Sequence, residues 1–390
     1  MTSSAPAPAP PTRSRTVDLT LSGSAYFDVI VRKGAEPENG VQVRAVRTAG
    51  LHHYFSETKI SIDSHEGKSA IRVTTPTFSN FAIGGWGDTL YLKIFITLNR
   101  DIEEFTCQGD LLQLSFEAGV HVSRVVDVKS RSGDVKIVSA LNVETLALAC
   151  GTGNITIENT VTTSKDITLQ ANNGIIRAAR PLDARNLRVI AGTGPILLDN
   201  VTAAEEVNLE SKAGGIEALE IKSNSFTAST DTNVATGALT GILSFSKVTT
   251  LNAVILQTNT GGISGQFVGY ETLIGSAKFG AINITLTPGS GGSSTSLSTE
   301  FGAVDAVVKD YKGKFDAKGS TISIRGAGDS LDGNHQGIIH GIIRENHEKS
   351  NANISLRTMN GNVDVKFIQL SPTASSEPTF VAPPSYDEQA

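Results

Sequence analysis

One spacing constrains this chain more than anything else in it. Gly133-Asp134-Val135, Gly153-Asn154-Ile155, Gly174-Ile175-Ile176, Gly194-Pro195-Ile196 and Gly214-Gly215-Ile216 follow one another at intervals of 20, 21, 20 and 20 residues. Around each Gly the apolar positions keep fixed places. Two and four residues after it stand pairs such as Val135/Ile137 and Ile155/Ile157; seven and five before it stand pairs such as Val126/Val128 and Leu146/Leu148. A two-residue apolar period is that of a strand with one buried face. A third apolar position recurs roughly thirteen residues before each Gly, at Leu141, Val161, Leu182, Val201, Val248 and Phe267.

Three apolar faces in each repeat describe a triangular coil with its core inside. A single coil cannot bury its own apolar face, so neighbours must stack and share one core. The expected fold is all-β: a parallel β-helix, or β-solenoid, of about 20–22 residues per coil. A β-sandwich also has short alternating strands, but gives no reason for one corner chemistry to recur at constant spacing. Downstream the corner glycines are read as Gly237, Gly261, Gly280, Gly302 and Gly361, and upstream Gly109-Asp110-Leu111 is read as one more corner.

Composition sets the boundaries. Residues 1–15 are rich in Pro and Ala and read as a disordered arm. Residues 16–105 are β-patterned but irregular, a lead-in to the solenoid. The repeat runs over 106–370, with a loop or edge excursion at 326–352, and 371–390 reads as a second disordered tail. The segments "LYLKIFITLNRDIEEFTCQGDLL", "VVDVKSRSGDVKI", "LALACGTGNITI" and "ISLRTMNGNVDVKF" carry a resemblance. They resemble the family of β-helix domains known as "putative adhesins", in which a strand, a Ser–Gly–Asp type corner and a strand repeat after a less regular start. The resemblance spans about 17–368 and implies a fold; it brings no set of binding residues with it.

Several function classes find little support. Net charge is −6 and the cations are scattered singly, so no basic footprint for nucleic acid is present. The longest apolar run, at 91–98, is interrupted by Lys93 and is far shorter than the ~20 residues of a membrane-spanning helix. The N-terminal stretch has no apolar core of the signal-peptide kind, and two cysteines make no disulfide framework, so a cytoplasmic location is expected. No acidic ladder follows the corner glycines: the column reads Asp134, Asn154, Ile175, Pro195, Gly215. A glycosidase needs two carboxylates roughly 5–10 Å apart, so no catalytic residue is assigned and no enzyme activity is expected. His335, His340 and His347 match no metal motif and read as solvated loop histidines; no metal and no cofactor are assigned. Asp134 and Asn154 are read as side chains bonding turn backbone. The Ser/Thr-rich outer face of 222–300 is a candidate recognition surface for an unknown partner.

The tail holds the one segment with a binding mechanism of its own. Pro383-Pro384-Ser385-Tyr386 is a PPxY sequence. Paired prolines pre-set the polyproline II conformation, which docks between aromatic side chains with little further loss of entropy. Pro383, Pro384 and Tyr386 are therefore the partner-binding candidates. The motif resembles the ligands of WW domains in ubiquitin ligases of the Nedd4/Rsp5 kind. The expected function is a non-enzymatic, adhesin-like solenoid serving as an interaction scaffold. A surface adhesin or glycan-binding protein is the alternative, and a polysaccharide-active enzyme a more distant one.

Overall fold

The structure, a computed structural model, describes residues 16–34, 41–49, 58–65, 67–75, 90–99, 101–231, 241–289, 292–327, 331–343 and 352–369. Gly237, His347 and the Pro383–Tyr386 motif, with both terminal arms, lie outside the described residues. Among the described residues every regular element is a β-strand. The chain divides into two compact units, Met1–Ala184 with Arg188–Leu197, and Arg185–Leu187 with Leu198–Ala390.

In the first unit the coils stack as parallel strands in three columns. Before the corner, Phe105 pairs with Val126, Val126 with Leu146 and Leu146 with Ile167. After it, Val135, Ile155 and Ile176 stack in turn. On the third side, Leu141–Val143 pairs with Val161–Thr163, and Val161 with Leu182. These are the three apolar positions of the sequence repeat, and all of these side chains are buried. At roughly 1.5–3 kcal/mol for each buried aliphatic side chain, the columns are the main source of stability.

The glycine is required because the corners stack backbone on backbone. Gly153 has φ +136°, and a Cβ there would lie 2.4 Å from the Gly133 carbonyl oxygen. Gly174 stacks on Gly153, and Gly194 on Gly174, in the same way. Asp134 and Asn154 do accept backbone N–H groups, but from the next coil: Asn154 N donates to Asp134 Oδ1 at 2.7 Å, and Ile175 N to Asn154 Oδ1 at 2.8 Å. Gly109 is not a corner. It pairs with Ser130, and the counterpart of Gly133 is Leu112, inside the continuous strand Ile102–Phe116. That coil turns without a glycine, so sequence spacing picked the nearest Gly-Asp instead.

The N-terminal strands are layered out of sequence order. Thr16–Ser22 lies between Ile102–Phe116 and Lys68–Thr74, parallel to both. Tyr26–Lys33 likewise lies between that long strand and Tyr91–Leu98. Lys59–His65 and Val41–Ala49 then add antiparallel to the outer strands. The first strands of the chain are thus held one layer in.

The second unit repeats the architecture. Ile216, Leu243, Ile263, Ile282, Val304 and Val363 stack in one column; Phe226, Val254, Leu273, Thr295 and Ile354 in another. Gly261, Gly280, Gly302 and Gly361 form the corner ladder, and the neighbour of Gly261 is Gly241 rather than Gly237. Here too layer order departs from sequence order. Asn353–Asn360 lies between Ser294–Phe301 and Gly313–Arg325, and Asn362–Ile368 between Val304–Lys309 and Gly313–Arg325. The coil ending near Phe367 is therefore interior. The outermost layer is Gly313–Arg325, covered by the antiparallel strand Gly333–Ile343 from the 326–352 excursion.

One further position recurs. Three residues before each corner Gly stand Ser130, Cys150, Ala171, Ala191 and Ser211, then Thr258, Ala277, Thr299 and Thr358. All are small and buried. Cys150 Sγ donates to Gly133 O at 2.9 Å, Thr258 Oγ1 to Gly241 O at 2.8 Å, and Thr299 and Thr358 Oγ1 to Gly280 and Gly302 O at 2.9 Å each. Where the residue is Cys or Thr, the position ties its coil to the corner of the neighbouring one.

Candidate functional site

The outer face of the second unit carries a groove of about 770 Å³. Its floor is one row of outward side chains in strict register. Ser229 pairs with Gln257, Gln257 with Ser276, Ser276 with Ser298, Ser298 with Arg357 and Arg357 with Lys318. Six parallel strands at ~4.8 Å make the row about 24 Å long. Two residues further along the strands runs a second row, Asp231, Asn259, Lys278, Glu300 and Met359. Between the rows lie the buried threonines of the corner lock, whose hydroxyls are spent on carbonyls of the neighbouring coil and on each other. The outward side chains of the two rows face the groove, Asn259 donating to Asp231 Oδ1 at 2.6 Å.

The groove lies on the Ser/Thr-rich face singled out in the sequence, but its cationic end was not visible there. Arg357 sits 59 positions beyond Ser298 in the sequence and directly beside it in the sheet. Only the inserted coil 353–368 brings them together.

Around the groove several groups have plain structural roles. Phe279 and Phe301 are half exposed but stack on each other, with centroids 5.1 Å apart and planes 8° from parallel. Lys278 Nζ lies 5.7 Å from the Phe279 centroid. In register Phe279 lies between Thr260 and Phe301, and Phe301 between Phe279 and Asn360; neither ring lines the groove. His340 Nδ1 meets Asp316 Oδ1 at 2.5 Å, and the His335 ring nitrogen meets Leu331 O at 3.0 Å. Among the described residues no cluster of three or more His, Cys, Asp or Glu side chains could hold a metal.

Acid pairs exist, but not in the groove. Asp305 and Asp364 stand directly opposite each other on the next face. Partial burial and then the Asp364 charge raise the Asp305 carboxyl above its ordinary range. Asp364 is held by Arg325, whose Nη2 lies 2.9 and 2.7 Å from its two carboxylate oxygens. Within the groove, Asp231 and Glu300 stand three strands apart, about 14 Å at sheet spacing, wider than the carboxylate pair of a glycosidase.

Both cysteines are free and buried. Burial raises the Cys107 thiol strongly, the Asp18 charge adding to it, and pushes Cys150 up to about 11, with Asp134 a second cause. Neither is a nucleophile at neutral pH.

A family model described as Toastrack DUF4097 matches residues 52–369, and the chain belongs to that family. The match begins inside the N-terminal strands rather than at residue 17. No curated protein matches the sequence. Two solved structures are similar over most of their length. One is a "putative cell adhesion protein" from Clostridium sporogenes: 9% identity, TM-score 0.17, covering 92% of this chain and 94% of that one. The other is a "putative adhesin" from Bacteroides fragilis: 10% identity, TM-score 0.20, covering 91% and 93%. Superpositions of that quality bear on neither function nor site.

Proposed function

We propose that this toastrack protein is a non-enzymatic interaction scaffold of the cytoplasm, whose tail recruits a WW-domain protein. The observation that carries the reading is the Pro383-Pro384-Ser385-Tyr386 sequence. The prolines supply the pre-set polyproline II segment and Tyr386 fills the second pocket of the WW groove. Ubiquitin ligases of the Nedd4/Rsp5 kind are the partner class. The solenoid supports the scaffold role through its physics: a stack of hydrogen-bonded coils holds an outward row of side chains at fixed spacing.

The test is binding of the full-length protein to a panel of isolated WW domains, wild type against Tyr386→Ala. Micromolar binding lost in the variant is the expected result. Equal binding by the two forms, or no binding by either, would remove the tail from the function.

A further inference from the structure

We propose that the cationic end of the groove, Arg357 with Lys318, binds the phosphate of a phosphoserine or phosphothreonine in an extended, polar peptide segment of a partner protein. The proposal deepens the scaffold reading by assigning a ligand to the solenoid face, and it rests on that reading for its biological sense alone.

The argument starts from charge. Some cations on the outer faces of this fold are paired with an acid on an adjacent strand or coil, among them Lys68 with Asp18, Lys93 with Asp28, Lys136 with Glu158, Lys165 with Glu144, Arg185 with Glu205 and Arg325 with Asp364. Arg357 and Lys318 are not, and they share one end of the groove. They stand directly opposite each other on neighbouring parallel strands, an arrangement of like charges that is destabilising by itself. Among the described residues neither has an acid within ion-pair distance. Arg357 Nε reaches only Ser355 Oγ, at 3.1 Å. Asp316, on the same strand as Lys318, is occupied by His340. Two opposed cations with no anion between them form a site for an oxyanion, the guanidinium giving two parallel donors and the ammonium a point charge.

The rest of the groove selects the kind of chain that carries the anion. From Arg357 the row continues through Ser298, Ser276, Gln257 and Ser229. These hydroxyls and the amide can donate to and accept from peptide groups, but they form no apolar pocket for large side chains. At ~24 Å the row matches about seven extended residues. Among the described residues no aromatic ring lines it, so a sugar ring finds no stacking surface there. Glu300 flanks the row one strand from Arg357. Its charge works against a long acidic tract and favours a single anionic group among neutral residues. A phosphate brings nearly two charges and three acceptor oxygens to that point, where a lone carboxylate brings one charge and two.

The experiment measures binding of short Ser/Gly/Asn-rich peptides with a central phosphoserine to the full-length protein. Arms with Ser or Asp at that position, and a sulfated polysaccharide, run beside it. The variants are Arg357→Gln, Lys318→Gln and their double, with Lys247→Gln, an exposed lysine outside the groove, as control. Native folding is checked by far-ultraviolet spectrum, and WW-domain binding by the same preparations is measured separately. The expected result is phosphopeptide binding that weakens with salt, falls roughly tenfold or more in each groove variant, and is unchanged in Lys247→Gln. Phosphopeptide binding equal to that of the Ser form, or surviving the double variant, would overturn the proposal. Binding of the sulfated polysaccharide without the phosphopeptide would overturn the peptide assignment. Because the tail is intact in every variant, failure here and failure of WW recruitment are separately visible.

Discussion

Replacing Gly280 by Ala tests whether the corner ladder is a close-packed element or only a run of permissive turns. Gly280 has φ +157°, and its N–H donates to Phe301 O at 2.9 Å. A Cβ there would lie 2.0 Å from the Gly261 oxygen and 2.4 Å from its carbonyl carbon, roughly 1 Å or more inside ordinary contact. Both are backbone atoms of a packed coil, so the clash is relieved only by parting the coils or breaking that hydrogen bond. The backbone conformation costs an L-residue about 1–3 kcal/mol, and overpacking adds about 1–3 kcal/mol. The sum is near 4 kcal/mol. Gly337 supplies the control, with φ +84° and nothing within 4 Å of an added Cβ. Gly337→Ala therefore carries the conformational part alone. Urea unfolding followed by far-ultraviolet signal should show the Gly280 variant losing at least 1–2 kcal/mol more than the Gly337 variant. Equal losses would refute the claim that the corners are in backbone contact.

Two further outcomes follow from buried polar groups. Thr358, 3% exposed, donates to Gly302 O, so Thr358→Val should cost about 1–3 kcal/mol in the same unfolding assay. Among the described residues the buried hydroxyl of Thr250 has no hydrogen-bond partner, so Thr250→Val should be neutral or stabilising. For the Cys150 thiol, burial pushes the folded pKa up to about 11, above the ordinary thiol value of 9.0. Its contribution to stability is full below about pH 9 and is lost as pH rises through about 11. Iodoacetamide at pH 8 should leave both cysteines unmodified in the native protein and label both in urea. Labelling of the native protein would contradict their burial.

Much of the fold was legible because a solenoid writes its geometry into the sequence at a fixed period. The columns beginning at Val126, Leu141 and Val135 were found from spacing alone, since each is a local alternation repeated by stacking. What could not be read was layer order. Periodicity says that 353–368 is a coil, but pairing depends on which edge it meets in space, and here it enters between 294–309 and 313–325. The assignment of Gly109 failed for a related reason: a continuous strand needs no glycine, so the motif fell out of register. The corner lock was legible in principle, as a small residue three before each Gly, yet Ser, Thr, Cys and Ala share no single pattern of polarity. The groove's cationic end was hidden because Arg357 and Lys318 become neighbours only through the inserted coil.

That insertion is tested directly by cross-linking. Ser355 pairs with Ser296 on one side and with Asp316 on the other. Adjacent strands at ~4.8 Å fall within the Cα range of a disulfide, and positions two strands apart, at about 10 Å, do not. Cysteines would be placed in pairs at 296 and 355, at 316 and 355, and at 296 and 316, in a background where Cys107 and Cys150 are buried. The inserted arrangement predicts rapid oxidation of the first two pairs and none of the third. Sequential stacking would put 296 beside 316, so a disulfide in the third pair without one between 296 and 355 would contradict the layer order and the groove built on it.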